Sequence, residues 1–380
     1  MGAMPAGPRI LHVVPRIVRR GAEVFAAQLA EALQSASRNM LFPLFGPAEG
    51  PPAAPVRVVP GARPPGRLER RTGVDPGAVA RMRAGLERLR PDLVVAHGGE
   101  PLKYAALADL RRRVPIVYRK ISHATGGRGE RVLARMYGRA ALILAVSEGL
   151  RDELVERFGV DPARVEVIPT SRTPPPELSP AEREQQRRAI GADPAWPLLA
   201  WVGRLSDEKQ PAAALQAFAL IRSRFGPVSL ALCGDGALRE PIERAAGAAG
   251  PGLLVLGSRD DADRIIAASD LLLSTSRIEA APGVLVEAGL AGVAVVAFDV
   301  GEVSHIVRRG ETGALVRPGD LEALADAACR LLADPKARNL MGAAAREACR
   351  PFALQTMVAR YVAAFAGVLG SKGDPLLSLA

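Results

Sequence analysis

The sequence predicts an α/β fold of two Rossmann-like, doubly wound domains facing each other across a cleft, and three observations carry that prediction. Short apolar runs alternate with segments of helical period along the whole chain, the pattern of parallel strands buried on both faces. One stretch, PTSRTPPPELSP at residues 169–180, interrupts the pattern with five prolines near the middle. The chain has 380 residues, enough for two domains of ordinary size.

Taken in order, the first half gives strands near Ile10 to Val14, Met40 to Phe45, Val56 to Val59, Leu93 to His97, Ile116 to Tyr118, Leu142 to Val146 and Val165 to Ile168. Helices such as Ala22 to Gln34 and Arg151 to Phe158 separate them. The segment Ala78 to Arg90 places Val79, Met82, Leu86 and Leu89 on one helical stripe, the spacing of a helix packed on a sheet. Beyond the prolines, strands recur near Leu198 to Val202, Val228 to Cys233, Leu253 to Leu256, Leu271 to Ser274, Val295 to Phe298 and Ala314 to Val316. Two terminal helices, Pro335 to Ala348 and Leu354 to Leu369, follow, and the tail after Gly370 is expected to fray. In such folds ligands bind at the carboxyl ends of the strands. The motifs described below all lie just after a strand.

Composition narrows the function class. Hydrophobic residues make up 48% and charged residues 24%, which fits neither a disordered nor a fibrous chain. Cys233, Cys329 and Cys349 form no C-x-x-C pair, so a disulfide framework or zinc site is not expected and a reducing, cytoplasmic setting is. The apolar run before Arg16 is too short for a signal-peptide core, and the longest, near Leu290 to Phe298, is about half of what a spanning helix needs. Residues 1–172 carry 28 Lys and Arg against 16 Asp and Glu, a net of +12, whereas residues 173–380 carry 22 against 24. The first half is therefore either an Arg-rich solvated surface or one that faces an anionic partner, such as a membrane surface or a phosphorylated acceptor. Aromatics at 4% and the lack of any RRM, KH, zinc-finger or helix-turn-helix pattern argue against nucleic acid.

Three segments of the second half carry chemistry. In SRIEAAPGVLVEAGLAG, Glu279 and Glu287 are separated by seven residues, and Pro282 and Gly283 suit the first turn of a helix. The amides of Gly283, Val284 and Leu285 at that helix's amino end fit an anion such as a diphosphate. Glu279 then lies on the sugar side and Glu287, a little over one turn inside, suits the hydroxyls of a ribose. Alone, two such carboxylates read equally as a solvated helix face. In WVGRLSDEK, Gly203 ends a strand, and Arg204 and Lys209 on the following loop suit the charge that builds on a leaving diphosphate. In LCGDG, Gly234 opens a tight turn where backbone can approach a ligand, although a plain turn has the same signature. His97 ends a strand, one of only four histidines, and His123 follows another; His12, inside the first strand, reads as structural. Asp261 and Asp263 imitate a metal-binding D-x-D but open a helix, where capping accounts for them, so no metal site is expected.

In this order and spacing, the segments resemble the retaining group-1 glycosyltransferases with the GT-B fold. The resemblance runs along nearly the whole chain, through RGAEVFAAQLAEAL, PDLVVAHGGE, LILAVSEGL, VEVIP, VGRLSDEK, CGDG, the E-x7-E block and GETGALVRPGD. It implies an acceptor-binding domain over 1–172, a linker over 173–190, a nucleotide-sugar-binding domain over 191–350 and a C-terminal helix and tail over 351–380. It also implies catalytic roles for Glu279, Arg204, Lys209 and His97. Donor contacts would come from Gly21, Gly203, Arg204, Lys209, Gly234, Gly283, Val284, Leu285 and Glu287, and acceptor contacts from His123 and Arg119. The implied reaction moves a hexose from a UDP- or GDP-sugar to a saccharide or lipid-linked acceptor in polysaccharide, lipopolysaccharide or other cell-envelope synthesis, without metal or cofactor, on the inner face of the membrane.

The chain departs from the family pattern at Arg20, where a loop glycine is usual, and at Ala280, where a second glycine is. It departs again at 169–173, PTSRT, where PNGVD is common, and at Glu302 and His305, where Gly and Glu are usual. A catalytically silent GT-B subunit is the alternative, opposed by the intact Glu279, Glu287, Arg204 and Lys209. A nicotinamide-dependent oxidoreductase is opposed by the missing G-x-G-x-x-G after either first strand.

Overall fold

A computed structural model of the chain describes residues 7–17, 21–45, 54–59, 74–111, 113–123, 128–248 and 250–379. It divides into two compact units, residues 1–170 with 354–380, and residues 171–353.

The first unit holds β1 (Arg9–Val14), α1 (Gly21–Ala32), β2 (Arg38–Pro43), β3 (Arg57–Val58), α2 (Pro76–Leu89), β4 (Leu93–His97), α3 (Gly99–Ala108), β5 (Ile116–Lys120), α4 (Arg128–Tyr137), β6 (Leu142–Ala145), α5 (Glu148–Asp152) and β7 (Val165–Val167). Its seven strands are parallel in the order β3-β2-β1-β4-β5-β6-β7. The chain winds outward one way from β1 and then the other way from β4, so the switch point lies between those two strands. Strands β4 and β5 are buried at every residue, as the apolar runs require of strands covered on both faces. Helix α2 starts where Asp75 accepts from the amides of Gly77 and Ala78 ahead of Pro76, and it buries Met82 and Leu86 as the stripe predicts.

The second unit holds α6 (Pro180–Ala189), β8 (Leu198–Val202), α7 (Pro211–Phe225), β9 (Ser229–Cys233), α8 (Arg239–Ala248), β10 (Leu253–Gly257), α9 (Ala262–Ala268), β11 (Leu271–Ser274), α10 (Gly283–Ala291), β12 (Ala294–Phe298), α11 (Val303–Ile306), β13 (Gly313–Val316), α12 (Leu321–Ala333) and α13 (Pro335–Cys349). Six parallel strands run β10-β9-β8-β11-β12-β13, placing the switch point between β8 and β11. Alternate residues feed the two faces. Leu199, Trp201, Leu271, Leu273, Val296 and Phe298 pack with α7 and α12 on one side, while Ala200, Leu272, Val295 and Ala297 pack with Ile266, Leu285 and Ala288 on the other.

The structure departs from the predicted 173–190 linker and 351–380 tail. Ser179 and Glu182 form a reciprocal capping box ahead of Pro180, so residues 180–189 are helical despite the proline run before them. Gln186 of that helix is buried, and Arg187 binds the Ala268 carbonyl and the Asp270 carboxylate, which fastens α6 to the second unit. The extended stretch is therefore confined to the residues before 179. At the other end, α14 (Leu354–Leu369) returns to the first unit, where Tyr361 lies 5.5 Å from Phe25 of α1. The tail does not fray: residues 370–379 form a 3-10 helix that buries Leu376 and sets Gly373 against Ala366. Its buried leucine was the missed signal.

Candidate functional site

At the switch point of the second sheet two loops meet. One leaves β8: the Gly203 amide donates to Cys233 O at 3.0 Å and the Leu205 amide to Asp235 O at 3.0 Å. The loop then makes one turn, with the Lys209 and Gln210 amides both donating to Ser206 O. Gln210 takes a left-handed conformation with φ of 47°, and Pro211 starts α7. The second loop leaves β11. Thr275 ties it to the first, accepting from Trp201 Nε1 at 3.0 Å and donating to Gln210 O at 2.9 Å. This brace brings Lys209 Nζ within 2.5 Å of Glu279 Oε1, an oxygen that also accepts from Ser276 Oγ at 2.7 Å. Glu279 is only 4% exposed, so that ammonium and hydroxyl stand in for the water it has lost. Its backbone is fixed as well: the Glu302 amide donates to Glu279 O, and Gly301, at φ of 49°, passes so close that a Cβ would lie 2.0 Å from that oxygen. Arg204 is exposed on the same loop; its carbonyl accepts from the Ser206 amide, and its side chain makes no hydrogen bond among the described residues.

Helix α10 contributes less than its sequence suggests. The Gly283 amide donates to Ala281 O and the Leu285 amide to Pro282 O, and the Leu285 side chain lies in the core, so the predicted donor contact from Leu285 is corrected: neither its amide nor its side chain is free. Val284 is the residue of that first turn whose amide has no acceptor among the described residues. Gly283 is required by packing, since a Cβ would lie 1.9 Å from Nη2 of Arg172. Arg172 in turn donates from Nε to Glu287 Oε1 at 2.8 Å. Burial pushes the Glu287 carboxyl above its usual range, and Arg172 opposes that shift. The sequence contained the signal for Arg172, a cation in the departing segment 169–173 and a carboxylate facing the inside of a helix, but spacing alone did not join them.

Gly234, the predicted close-approach glycine, is held against protein. At φ of 146°, a Cβ there would lie 1.8 Å from Gly203 O, and one on Gly236 would lie 2.4 Å from Leu205 O. The C-G-D-G turn therefore buttresses the loop carrying Arg204 and Lys209. Asp261 stands at the amino end of α9 without capping it: both of its oxygens bind Arg259, and Gln186 donates to one of them at 2.8 Å. The capping expectation for Asp261 is thus corrected to an ion pair. Among the described residues no group of three His, Cys, Asp or Glu is arranged to hold a metal.

In the first unit, His97 ends β4 beside β1 and is fully buried. Asn39 Oδ1 can only accept, so His12 Nε2 carries a proton and donates to it at 3.2 Å. His12 Nδ1 must then accept from His97 Nε2 at 3.1 Å, leaving His97 Nδ1 as an acceptor buried without a partner among the described residues. Burial pushes His12 down to about 4 and His97 well below its usual value, with His12 and Arg119 adding to the second shift. Arg119, also buried, lies with its guanidinium carbon 3.8 Å from the Phe25 ring centroid. Neither His97 nor Arg119 is a surface group. Gly21, by contrast, is exposed at the first position of α1, and Arg20 lies outside the described residues. His123 is half-exposed, 3.5 Å from Glu153, which also holds the buried Lys120 at 3.0 Å. Glu153 opens a π-helical turn over Glu153–Arg157, a feature that single-residue periodicity did not show.

Residues 182–348 match the family model for glycosyl transferases group 1, and residues 19–171 match that for glycosyltransferase family 4. An exopolysaccharide phosphotransferase of Streptomyces coelicolor is 29% identical over 301 residues, 77% of this chain and 30% of that one. The 2-deoxystreptamine glucosyltransferase of Streptomyces kanamyceticus is 31% identical over 206 residues, 52% of each chain. The match thus spans about half or less of these curated relatives. Among solved structures, the Anabaena protein HepE in complex with UDP and glucose superposes with a TM-score of 0.79 at 23% identity, covering 95% of this chain and all of that one. With both halves matched by glycosyltransferase models and both sheets wound as two Rossmann-like domains, the chain belongs to the group 1 glycosyltransferases of the GT-B fold.

Proposed function

We propose that the protein transfers a hexose from a UDP- or GDP-sugar to a hydroxyl of a saccharide or lipid-linked acceptor in polysaccharide or cell-envelope synthesis, with retention at the anomeric carbon. The observation that carries this reading is the Lys209–Glu279 pair, braced by Trp201, Thr275 and Ser276 at the switch point of the second sheet. A preorganised ammonium beside a dry carboxylate suits a departing diphosphate on one side and a sugar on the other. Arg204 adds a second cation, Glu287 accepts from the ribose and the Val284 amide meets a phosphate oxygen. On this reading Gly21 approaches the donor, His97 serves the reacting centre, and His123 and Arg119 serve the acceptor, with His97 and Arg119 acting from buried positions. Glu279 Oε1 is already engaged by Lys209 and Ser276, which suits charge stabilisation better than nucleophilic attack. Retention then comes from front-face displacement: the acceptor oxygen bonds to the anomeric carbon as the bond to the diphosphate breaks, and the acceptor proton passes to the departing phosphate oxygen.

The test is a screen of nucleoside diphosphate sugars, reading nucleoside diphosphate release with saccharide acceptors and the anomeric configuration of the product by NMR. Release from no donor, with nucleotide still bound, favours the silent-subunit alternative. On the same reading the reaction needs no metal or cofactor, because Lys209 and Arg204 supply the positive charge. Turnover is expected to stay within about twofold after EDTA treatment; loss in EDTA that manganese restores overturns this.

The reading also places the protein at the inner face of the membrane through its basic half. Some of those arginines serve helix ends: Arg139 binds the Leu110 and Asp109 carbonyls and Arg164 those of Tyr137 and Ala140. The arginines of that half crowd at 111–113 and 128–139 in the sequence, and of these Arg112 and the side chains of Arg128 and Arg131 lie outside the described residues. No helix among the described residues is long and apolar enough to cross a membrane, so charge would carry the contact at about 1 kcal/mol per nearby cation. Sedimentation with acidic vesicles is expected to capture the protein at low salt and release it at high salt. Equal binding to neutral vesicles, or none to either, removes the membrane contact.

A further inference from the structure

Arg172 is buried to 6% exposure in the segment where the first unit hands the chain to the second. Its backbone is fixed by a bond from its amide to Phe352 O at 3.0 Å. Its side chain is fixed by bonds from Nε to Glu287 Oε1 at 2.8 Å and from Nη1 to Ser171 O at 2.9 Å. The guanidinium rests on Gly283, the first residue of α10, where no side chain fits beside it. A cation at the amino end of a helix sits at the wrong pole of the dipole. Its placement there is explained by the carboxylate one turn inside.

Glu287 needs such a partner. The side chain is 24% exposed on a helix that otherwise faces the core, and burial disfavours its charge. Asp263 on α9 acts in the same direction. Two other charged groups on the elements packed around α10 are engaged elsewhere. Arg346 of α13 binds Ala291 O and Glu177, and His305 of α11 lies 2.9 Å from Glu302. A ribose presents two neighbouring hydroxyls, which an ionised carboxylate can accept and a protonated one can meet with only part of its capacity.

We propose that Arg172 is a positioning residue for donor recognition, holding the Glu287 carboxylate charged and oriented, with one oxygen left for the ribose hydroxyls of the nucleoside diphosphate. This rests on the reading of the second unit's switch point as the nucleoside diphosphate site. It assigns a role to a residue where the family pattern has a small apolar one, and links two segments 115 positions apart in sequence.

Calorimetric titration with UDP and with GDP between pH 5.5 and 8.5 tests it. Wild-type affinity is expected to fall only toward the acid end. In Arg172→Leu the midpoint of that fall moves up by at least one pH unit, leaving binding about tenfold weaker near pH 6.5 and recovering as pH rises. Arg172→Gln, which keeps a hydrogen bond and loses the charge, shows the same shift and serves if Arg172→Leu does not fold, while Arg172→Lys returns the midpoint toward wild type. Glu287→Gln binds weakly and keeps only the fall that belongs to the nucleotide's own terminal phosphate, whose second pKa is about 6, and adding Arg172→Leu does not move it. An unshifted midpoint in Arg172→Leu or Arg172→Gln, with affinity lowered equally at every pH, assigns Arg172 to packing alone and overturns the proposal. Wild-type protein that binds neither nucleotide at any pH overturns the reading of the site and the proposal with it.

Discussion

Replacing Lys209 with Ala is expected to lower turnover by about 10² to 10³, the scale for removing one preorganised charge-stabilising group. Two losses coincide. The departing diphosphate loses a cation, and Glu279, 4% exposed, loses the ammonium 2.5 Å from its Oε1 and keeps only the Ser276 hydroxyl there. A buried carboxylate left without its partner is costly, so the variant also loses stability. The companion variant Glu279→Gln leaves Lys209 half-exposed and solvated, which a lysine tolerates. Its defect is therefore confined to turnover, whereas Lys209→Ala loses thermal stability too. Arg204→Ala is expected to fall on the same turnover scale with no stability loss, because the Arg204 side chain is exposed and makes no hydrogen bond among the described residues. Steady-state turnover alongside thermal unfolding of the three variants checks this. Near-normal turnover in Lys209→Ala would make the ion pair a structural tie between two loops.

The strands were legible because parallel strands covered on both faces are apolar along most of their length, and LVVAH, LLAWV and LLLS are apolar up to their last residues. Glu279 and Lys209 were legible for a related reason: in a doubly wound sheet the loops at the switch point are the ones that meet, and both residues follow switch-point strands. What sequence spacing could not supply is side-chain direction. Leu285 and Glu287 are two apart on one helix, and only the fold sends the leucine into the core and the carboxylate to Arg172. Asp261 looked like a cap because aspartate favours that position, but Arg259, two residues earlier, competes with a charged partner that helix amides cannot match. His97 was singled out because it ends a strand, and the β1–β4 pairing places it against His12, inside.

The turn at Gly234 separates packing from ligand contact most sharply. Gly234→Ala is expected to destabilise the second unit by about 2 to 6 kcal/mol, from two sources. A residue with a Cβ is strained at φ of 146°, at about 1 to 3 kcal/mol. The added carbon would also lie 1.8 Å from Gly203 O, a backbone atom that cannot swing aside as a side chain would, and relieving such an overlap by backbone shifts adds about 1 to 3 kcal/mol. Gly226→Ala is the control. It ends α7 at φ of 100° with nothing within 4 Å of the added carbon, so only the conformational part applies. For a unit of this size the Gly234 variant should unfold about 10 °C below wild type, and the Gly226 variant by less than half that shift. Because the carbonyl displaced is that of Gly203, the strain is delivered to the loop carrying Arg204 and Lys209. The same variant should therefore lose turnover even at temperatures where it is fully folded. A Gly234→Ala protein with wild-type unfolding temperature and weakened donor binding would reverse the assignment, making the turn a ligand surface after all.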